Sequence, residues 1–282
     1  MNLLFPRTKD YKGYLDTTAF PRNRGFADRI RFRVIPIVTY CLLENLYPVF
    51  TDDILGNDDY GKWEDYFEPF VETVEDYNKS KTVTLEKEAG IAYKKYIEQI
   101  PESRFLQSSL KKEDYNSQIL NSIMVYNGTT RAQIDLAIKE LKLQPPYAAI
   151  HVRWGDKLTV CEYRTKKFAA NEYLNKINIG RLFVMSDDYA FIAELKSSFP
   201  EIEVITTAEE RHAGNVGANS FGKQFGVARE TVRLLVDMEC ARKSSMFIGT
   251  RYSGLSFLIH KLHQFQDRCS TIEGLPFPKD IT

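Results

Sequence analysis

The chain has 282 residues with an aromatic share of 13%, which is length for one large or two ordinary α/β domains and ample material for burial. Its 38 Lys and Arg balance its 38 Asp and Glu, which excludes a global field for nucleic acid or an anionic membrane, so any phosphate site must be local. The longest apolar run, Val34 to Leu43, is broken by Pro36 and Thr39 and falls far short of the roughly 20 residues of a bilayer span. With no signal-like N-terminus, the expected setting is the cytoplasm, without a membrane span.

From about Asp28 to Asn45, Ile30, Val34, Ile37, Val38, Cys41 and Leu42 recur at spacings of three and four, which predicts a helix. Pro36 inside that stripe requires a bend or a later start, because an interior proline costs about 3 kcal/mol. A short strand over Tyr47 to Phe50 is expected next. Asp52 to Asp76 is rich in acids and aromatics around the Asn57-Asp58-Asp59 turn signal and reads as loop plus irregular helix. Trp63 and Phe67 there are either sugar-stacking platforms or core. Glu86 to Ile100, Tyr115 to Tyr126 and Thr130 to Leu141 have helical composition.

Pro145-Pro146 marks a break, which gives an N-terminal domain of residues 1–145 and a C-terminal domain of residues 146–282. Beyond it, short apolar strands (147–152, 181–185, 203–206, 246–248) alternate with helical stretches (171–177, 189–199, 227–242). Such alternation implies a parallel sheet with right-handed crossovers, whose ligands lie beyond the carboxyl ends of the strands. Cys41, Cys161, Cys240 and Cys269 are too scattered for a zinc cage or a disulfide framework and read as reduced thiols.

Chemistry is therefore sought at the strand ends. The first strand of this half ends in Ile150-His151-Val152-Arg153-Trp154-Gly155-Asp156-Lys157. The planar guanidinium of Arg153 suits a diphosphate through paired charge-assisted hydrogen bonds, or it pairs with nearby Asp156. The second strand ends in Ser186-Asp187-Asp188, where either aspartate serves a ligand or caps the following helix. The fourth ends in Gly249-Thr250-Arg251-Tyr252-Ser253-Gly254-Leu255-Ser256, whose hydroxyls and amide groups at a helix start form a phosphate site. Thr250, Tyr252 and Ser253 are its candidate residues. Arg211 lies in a glycine-rich stretch, 207–226, long enough to cover a ligand.

Taken in order, the H-V-R-x-G-D-K strand end, the S-D-D turn and the E-T-V-R-L-L-V-D-M-E-C-A helix leading into F-I-G-T-x-x-S-G-L-S resemble the donor-binding half of the fucosyltransferase superfamily. That superfamily includes the α1,6- and protein O-fucosyltransferases. Gly25 to Arg29, ahead of an apolar helix, is similar to the family's opening glycine-containing turn. The resemblance implies an α/β, GT-B-like fold of two Rossmann-like domains facing a cleft, inversion at the sugar carbon, and neither metal nor cofactor. It implies that Arg153 binds the diphosphate and assists its departure and that His151 supports the donor or the arginine. Asp187 or Asp188 would contact the nucleoside, and Ser253 the phosphate. Arg29 and Trp63 fall on the side of the acceptor, a glycan or glycoprotein.

Where several members carry a second arginine this chain has Trp154, so UDP-xylose, used by some viral glycosyltransferases of similar shape, stands beside GDP-fucose as donor. The small chain is similar in size to microbial or large-DNA-virus glycan enzymes. Inverting transfer also needs a base from the first half. Asp28, Asp53, Asp65 and Asp76 are the candidates, with Asp76 and Asp28 preferred. Two other classes stand as rivals. Gly217 to Gln224 nearly spells a kinase-type P-loop but ends in Gln224 where Ser or Thr must hold magnesium. A glycan-binding module that has lost turnover is the second.

Overall fold

The structure, a computed structural model, describes residues 4–5, 9–16, 25–50, 55, 60–71, 82–84, 99–108, 110–154, 168–212 and 225–278. The expected helix over 86–100 and the P-loop-like stretch lie outside these residues, apart from the last two positions of the helix. The chain divides into two compact units, Met1–Asn127 with Asp280–Thr282, and Gly128–Lys279.

In the first unit, β1 (Gly13–Asp16), β2 (Leu46–Val49) and β3 (Thr82–Thr84) form a parallel sheet in the order β2-β1-β3. The helical stripe is present, and Pro36 explains its form. Helix α1 (Phe26–Arg29) runs through a π turn, Ile30–Val34, into α2 (Ile35–Glu44), with the proline in the first turn of α2. A proline has no N–H for the carbonyl four residues back and crowds it; the wider π turn just before Pro36 relieves both problems. Asn45 ends the run in the left-handed conformation, φ 56° and ψ 48°, which a short polar side chain tolerates. The chain then turns directly into β2, one residue earlier than its apolar run suggested. Helices α3 (Glu102–Gln107) and α4 (Tyr115–Ile123) complete this unit.

Trp63 is fully buried: its ring lies 4.4 Å from Phe67 and edge-on to Phe70 at 5.3 Å, and its indole N–H reaches the Glu68 carbonyl at 3.2 Å. It is core, and the sugar-stacking reading is corrected, because an indole with no exposed face has nothing to offer a ligand.

The second unit begins with α5 (Gly128–Glu140), which packs on α8 (Val227–Arg242). Arg131 at 3.3 Å, Arg242 at 2.7 Å and Lys243 at 3.1 Å converge on the buried carboxylate of Glu239. This cluster ties the helix at 128–140 to the second unit, although it precedes the proline pair that marked the break in the sequence.

Strands β4 (Ala148–Val152), β5 (Arg181–Ser186), β6 (Glu203–Ile205), β7 (Met246–Gly249) and β8 (Cys269–Thr271) form an all-parallel sheet in the order β6-β5-β4-β7-β8. Helices α6 (Ala170–Leu174), α7 (Tyr189–Ser198), α8 and α9 (Gly254–Leu262) alternate with the strands. Every residue of β4 is buried, as are all but the first of β5, as a parallel sheet covered on both faces requires. Ile150, Val152, Leu182, Val184, Phe191, Leu195 and Ile248 are among its fully buried core.

Candidate functional site

Strand order in the second unit reverses between β4 and β7, which pair directly. β5 and β6 continue on one side of β4 and β8 lies beyond β7. In open α/β sheets such a switch point leaves a crevice beyond the strand ends, and the polar residues singled out from the sequence stand on its two rims.

On the β4 rim, Arg153 leaves the strand 16% exposed and donates through Nη1 to Asp187 Oδ2 at 2.5 Å. Asp187 Oδ1 accepts the Trp154 backbone N–H at 2.9 Å, so this carboxylate, 8% exposed, fixes both the guanidinium and the backbone that carries it. This partner of Arg153 lies 34 residues away, at the end of β5. Asp156 lies outside the described residues.

Asp188 has a different task. Its side chain accepts from Ala190 N–H at 3.0 Å and caps α7, while Ser186 Oγ accepts the Asp188 N–H at 3.1 Å. The Ser-Asp-Asp turn therefore divides its labour: one carboxylate holds Arg153 and the other starts a helix.

Trp154 does not line the crevice. It is 7% exposed, edge-on to Phe191 at 4.9 Å, and its indole N–H meets the Phe168 carbonyl at 3.3 Å. Where several members of the resembled family carry a second arginine, this chain turns an indole inward, where it fills the core below the strand end.

On the β7 rim, Ser253 caps α9 by accepting the Ser256 N–H at 3.4 Å. Thr250 is buried and donates to the His151 carbonyl at 3.3 Å. Tyr252 is 52% exposed at the same turn. Glu273 receives the Arg251 N–H at 3.1 and 3.2 Å, and the Arg251 guanidinium reaches the Pro276 carbonyl at 2.9 Å, so the turn is clamped from the segment after β8.

His151 joins the two rims. It is 5% exposed, and its Nδ1 lies 2.7 Å from Ser256 Oγ on α9. Burial first, and the Arg153 charge second, lower its pKa to about 3, so the ring is neutral at physiological pH.

The sequence reading of α8 assigned no role to its charges. Glu230, Arg233 and Asp237 recur at spacings of three and four, a signal present in the sequence. Arg233 donates to Glu230 at 2.8 Å and to Asp237 at 3.3 Å; Thr207 donates to Asp237 at 2.5 Å and His212 lies 3.4 Å from Glu230. Burial raises Asp237 to about 6 against Arg233 and Thr207. Glu230 is held at about 2, burial being outweighed by His212 and Arg233. The network joins the loop after β6 to the first half of α8. Arg211, expected over a ligand, pairs with Glu209 at 2.9 Å and lies over the Phe225 ring at 4.2 Å, while Arg229 meets the same glutamate. Residues 213–224 of that stretch lie outside the described residues.

In the first unit, Arg29 is 3% exposed, donates to the Leu55 carbonyl and lies 6.0 Å from the centre of the Tyr60 ring. This guanidinium supports the fold, and its assignment to an acceptor is corrected on the ground of that burial. Asp28 is partly exposed in the first turn of α1. Asp65 accepts the Lys62 N–H at 2.7 Å and caps a short helical turn. Asp53 and Asp76 lie outside the described residues. Among the described residues, no three His, Cys, Asp or Glu side chains gather as a metal site, and no helix is long and apolar enough to cross a membrane.

No family model and no curated protein sequence matches the chain. Solved structures do. The NodZ α-1,6-fucosyltransferase soaked with GDP-fucose matches with a TM-score of 0.52 at 14% identity, over 89% of this chain and 93% of that one. The NodZ fucosyltransferase from Bradyrhizobium gives 0.53 at 13% identity, over 90% and 94%. POFUT1 in complex with GDP-fucose gives 0.54 at 13% identity, over 93% and 98%. With its two parallel-sheet units and a strand switch in the second, the chain has the GT-B fold of these fucosyltransferases.

Proposed function

We propose that the protein is an inverting glycosyltransferase that moves fucose from GDP-fucose to a hydroxyl of a glycan or glycoprotein without a metal ion. The observation that carries this reading is Arg153, partly exposed at the switch point and fixed by the buried Asp187 at 2.5 Å. A guanidinium so held needs no reorganisation when charge develops in front of it. The opposite rim supplies the start of α9, whose free amide groups and partial positive charge suit phosphate oxygens. Ser253 uses an acceptor lone pair for its cap, which leaves its O–H to donate to the ligand. The fold match to fucosyltransferases solved with GDP-fucose favours that donor, and with the Trp154 ring in the core nothing in the site favours UDP-xylose over it.

In the reaction, the acceptor oxygen attacks the anomeric carbon on the face opposite the diphosphate. The bond from that carbon to the phosphate oxygen breaks, and GDP leaves with the electron pair. Arg153 stabilises the negative charge on the departing diphosphate, Asp187 holds Arg153 in place, and His151 donates a neutral N–H. The acceptor proton passes to a carboxylate, Asp28 or Asp76.

A thermal-shift and hydrolysis panel in EDTA with GDP-fucose, UDP-xylose, UDP-glucose, UDP-galactose and ATP tests this. Stabilisation and slow release of fucose from GDP-fucose is the expected result. A response to UDP-xylose alone replaces the donor; glycan binding without hydrolysis of any donor makes the protein a binding module. A response to ATP alone overturns the transferase.

A further inference from the structure

We propose that Ser256 is a positioning residue that fixes His151 in the tautomer with its hydrogen on Nε2, so that the imidazole meets the nucleotide-sugar as a neutral N–H donor. The inference rests on the transferase reading for its ligand but on the second unit alone for its geometry.

Ser256 is fully buried in α9. Its Oγ accepts the Thr250 backbone N–H at 3.0 Å and lies 2.7 Å from His151 Nδ1. The first contact occupies a lone pair of the hydroxyl and leaves its hydrogen to place, and among the described residues Nδ1 is the close acceptor. Were Nδ1 instead to carry the hydrogen and donate to Oγ, the buried hydroxyl would hold a hydrogen with no acceptor, the more costly arrangement. Nδ1 is therefore the acceptor, and in a neutral ring the hydrogen belongs to Nε2.

The seat of this hydroxyl is built into the chain. A Cβ placed on Gly249 would fall 2.7 Å from Ser256 Oγ and 2.8 Å from its Cβ, so any other residue at the end of β7 would push the serine off both partners. The pairing thus joins the last residue of β7, the turn amide of Thr250, the third residue of α9 and the last turn of β4. Burial of the imidazole and the neighbouring Arg153 charge both disfavour protonation, which agrees with a ring that acts through one N–H. With Arg153 supplying charge to the diphosphate, a neutral donor beside it adds direction toward a ligand oxygen without adding repulsion between cations.

The test is long-range ¹H–¹⁵N correlation spectroscopy of protein labelled at its four histidines, with His151 assigned by the signals lost in His151→Gln. In the absence of nucleotide, Nδ1 is expected to resonate as an unprotonated nitrogen and Nε2 as a protonated one. A hydrogen on Nδ1, or an imidazolium at pH 7, overturns the proposal. The tautomer is read on the unsubstituted protein, and where His151→Gln does not fold, substitution of the other three histidines in turn supplies the assignment.

In folded Ser256→Ala the two nitrogen shifts should move toward each other as the tautomers mix. The donor KM should rise roughly tenfold, the worth of one hydrogen bond, with kcat changed much less. A wild-type shift pattern in folded Ser256→Ala removes Ser256 from the role. His151→Gln, which keeps an N–H near the Nε2 position, should retain more donor affinity than His151→Leu; equal loss in both overturns the donor role of that N–H. Addition of GDP should displace the Nε2 signals. Absence of any nucleotide response by thermal shift, with the tautomer as stated, would fail the transferase reading and not the tautomer.

Discussion

Arg153 and Arg29 are each pinned by an oxygen, yet the two units use them differently. Arg153 stands 16% exposed beyond the last residue of a strand at the switch point, held by the carboxylate of Asp187. Arg29 is 3% exposed in a helix that runs into a π turn, where Arg31 and Arg33 are also buried, and it donates to a main-chain carbonyl. A guanidinium buried within a helix serves the fold, whereas one partly exposed beyond a strand end and held by a carboxylate stands where a ligand can reach it. The aromatic residues of the first unit teach the same lesson, since the acidic and aromatic stretch that looked like a sugar platform keeps Trp63 entirely inside.

The largest effect should come from Trp63→Ala. Loss of a fully buried indole costs about 3–5 kcal/mol, and chemical denaturation should find that much stability missing. A stable variant with weakened acceptor binding would reverse the reading of that segment as core. Arg153→Ala should lower turnover by about 10² to 10³ in the molecules that remain folded, the usual loss when a donor aimed at developing charge is removed. Arg29→Ala should do the opposite, with about 1–3 kcal/mol of stability lost through an unsatisfied buried carbonyl and donor hydrolysis kept by the molecules that remain folded. If both arginine variants lose only stability, the division between the units fails.

These contrasts also mark what could be read in the sequence. Strands β4, β5 and β7 were legible because a buried parallel strand reads as a short apolar run, and its polar residues at the carboxyl end can be placed without knowing the fold. Strand β1 was not: Gly13–Asp16, a glycine, an aromatic, an aliphatic and an acid, is a four-residue stretch of mixed character that carries no period. Which carboxylate holds Arg153 was equally hidden. Asp187 arrives from the end of the neighbouring strand, and strand neighbours are a tertiary fact. Ser256 and His151 are 105 residues apart and meet only because β4 pairs with β7. Trp154 illustrates the converse, since a residue just past a strand can turn inward or outward and one sequence does not say which.

Acid should weaken the second unit in two stages. Burial lowers His151 to about 3, so the unfolded chain takes up a proton below the ordinary 6.5 that the folded ring refuses, and stability falls as pH drops from 6.5 toward 3. Burial would raise Glu239, but Arg242 and Lys243 outweigh it and hold the carboxylate at about 2. Its contribution is therefore complete above the ordinary 4.5 and is lost as pH falls from there toward 2. Glu239→Gln should cost about 1.5–3 kcal/mol at neutral pH and flatten the lower stage, leaving the upper one; urea titrations from pH 7 to pH 3 would show whether the two stages separate.

The smallest effect sharpens the comparison most finely, because it is drawn between adjacent residues of one type. Asp188 caps α7 through Ala190, so Asp188→Ala should cost about 1 kcal/mol of stability and leave donor turnover intact. Asp187 carries no cap; Asp187→Asn keeps the side-chain shape and the oxygen for Trp154 N–H but removes the charge that holds Arg153. That variant should keep most of its stability and lose turnover, though less than Arg153→Ala, since the guanidinium remains but is no longer fixed. A loss of turnover in Asp188→Ala as deep as in Asp187→Asn would mean that the nucleoside is read by the second aspartate, and the partition of the Ser-Asp-Asp turn into a cap and a clamp would have to be redrawn.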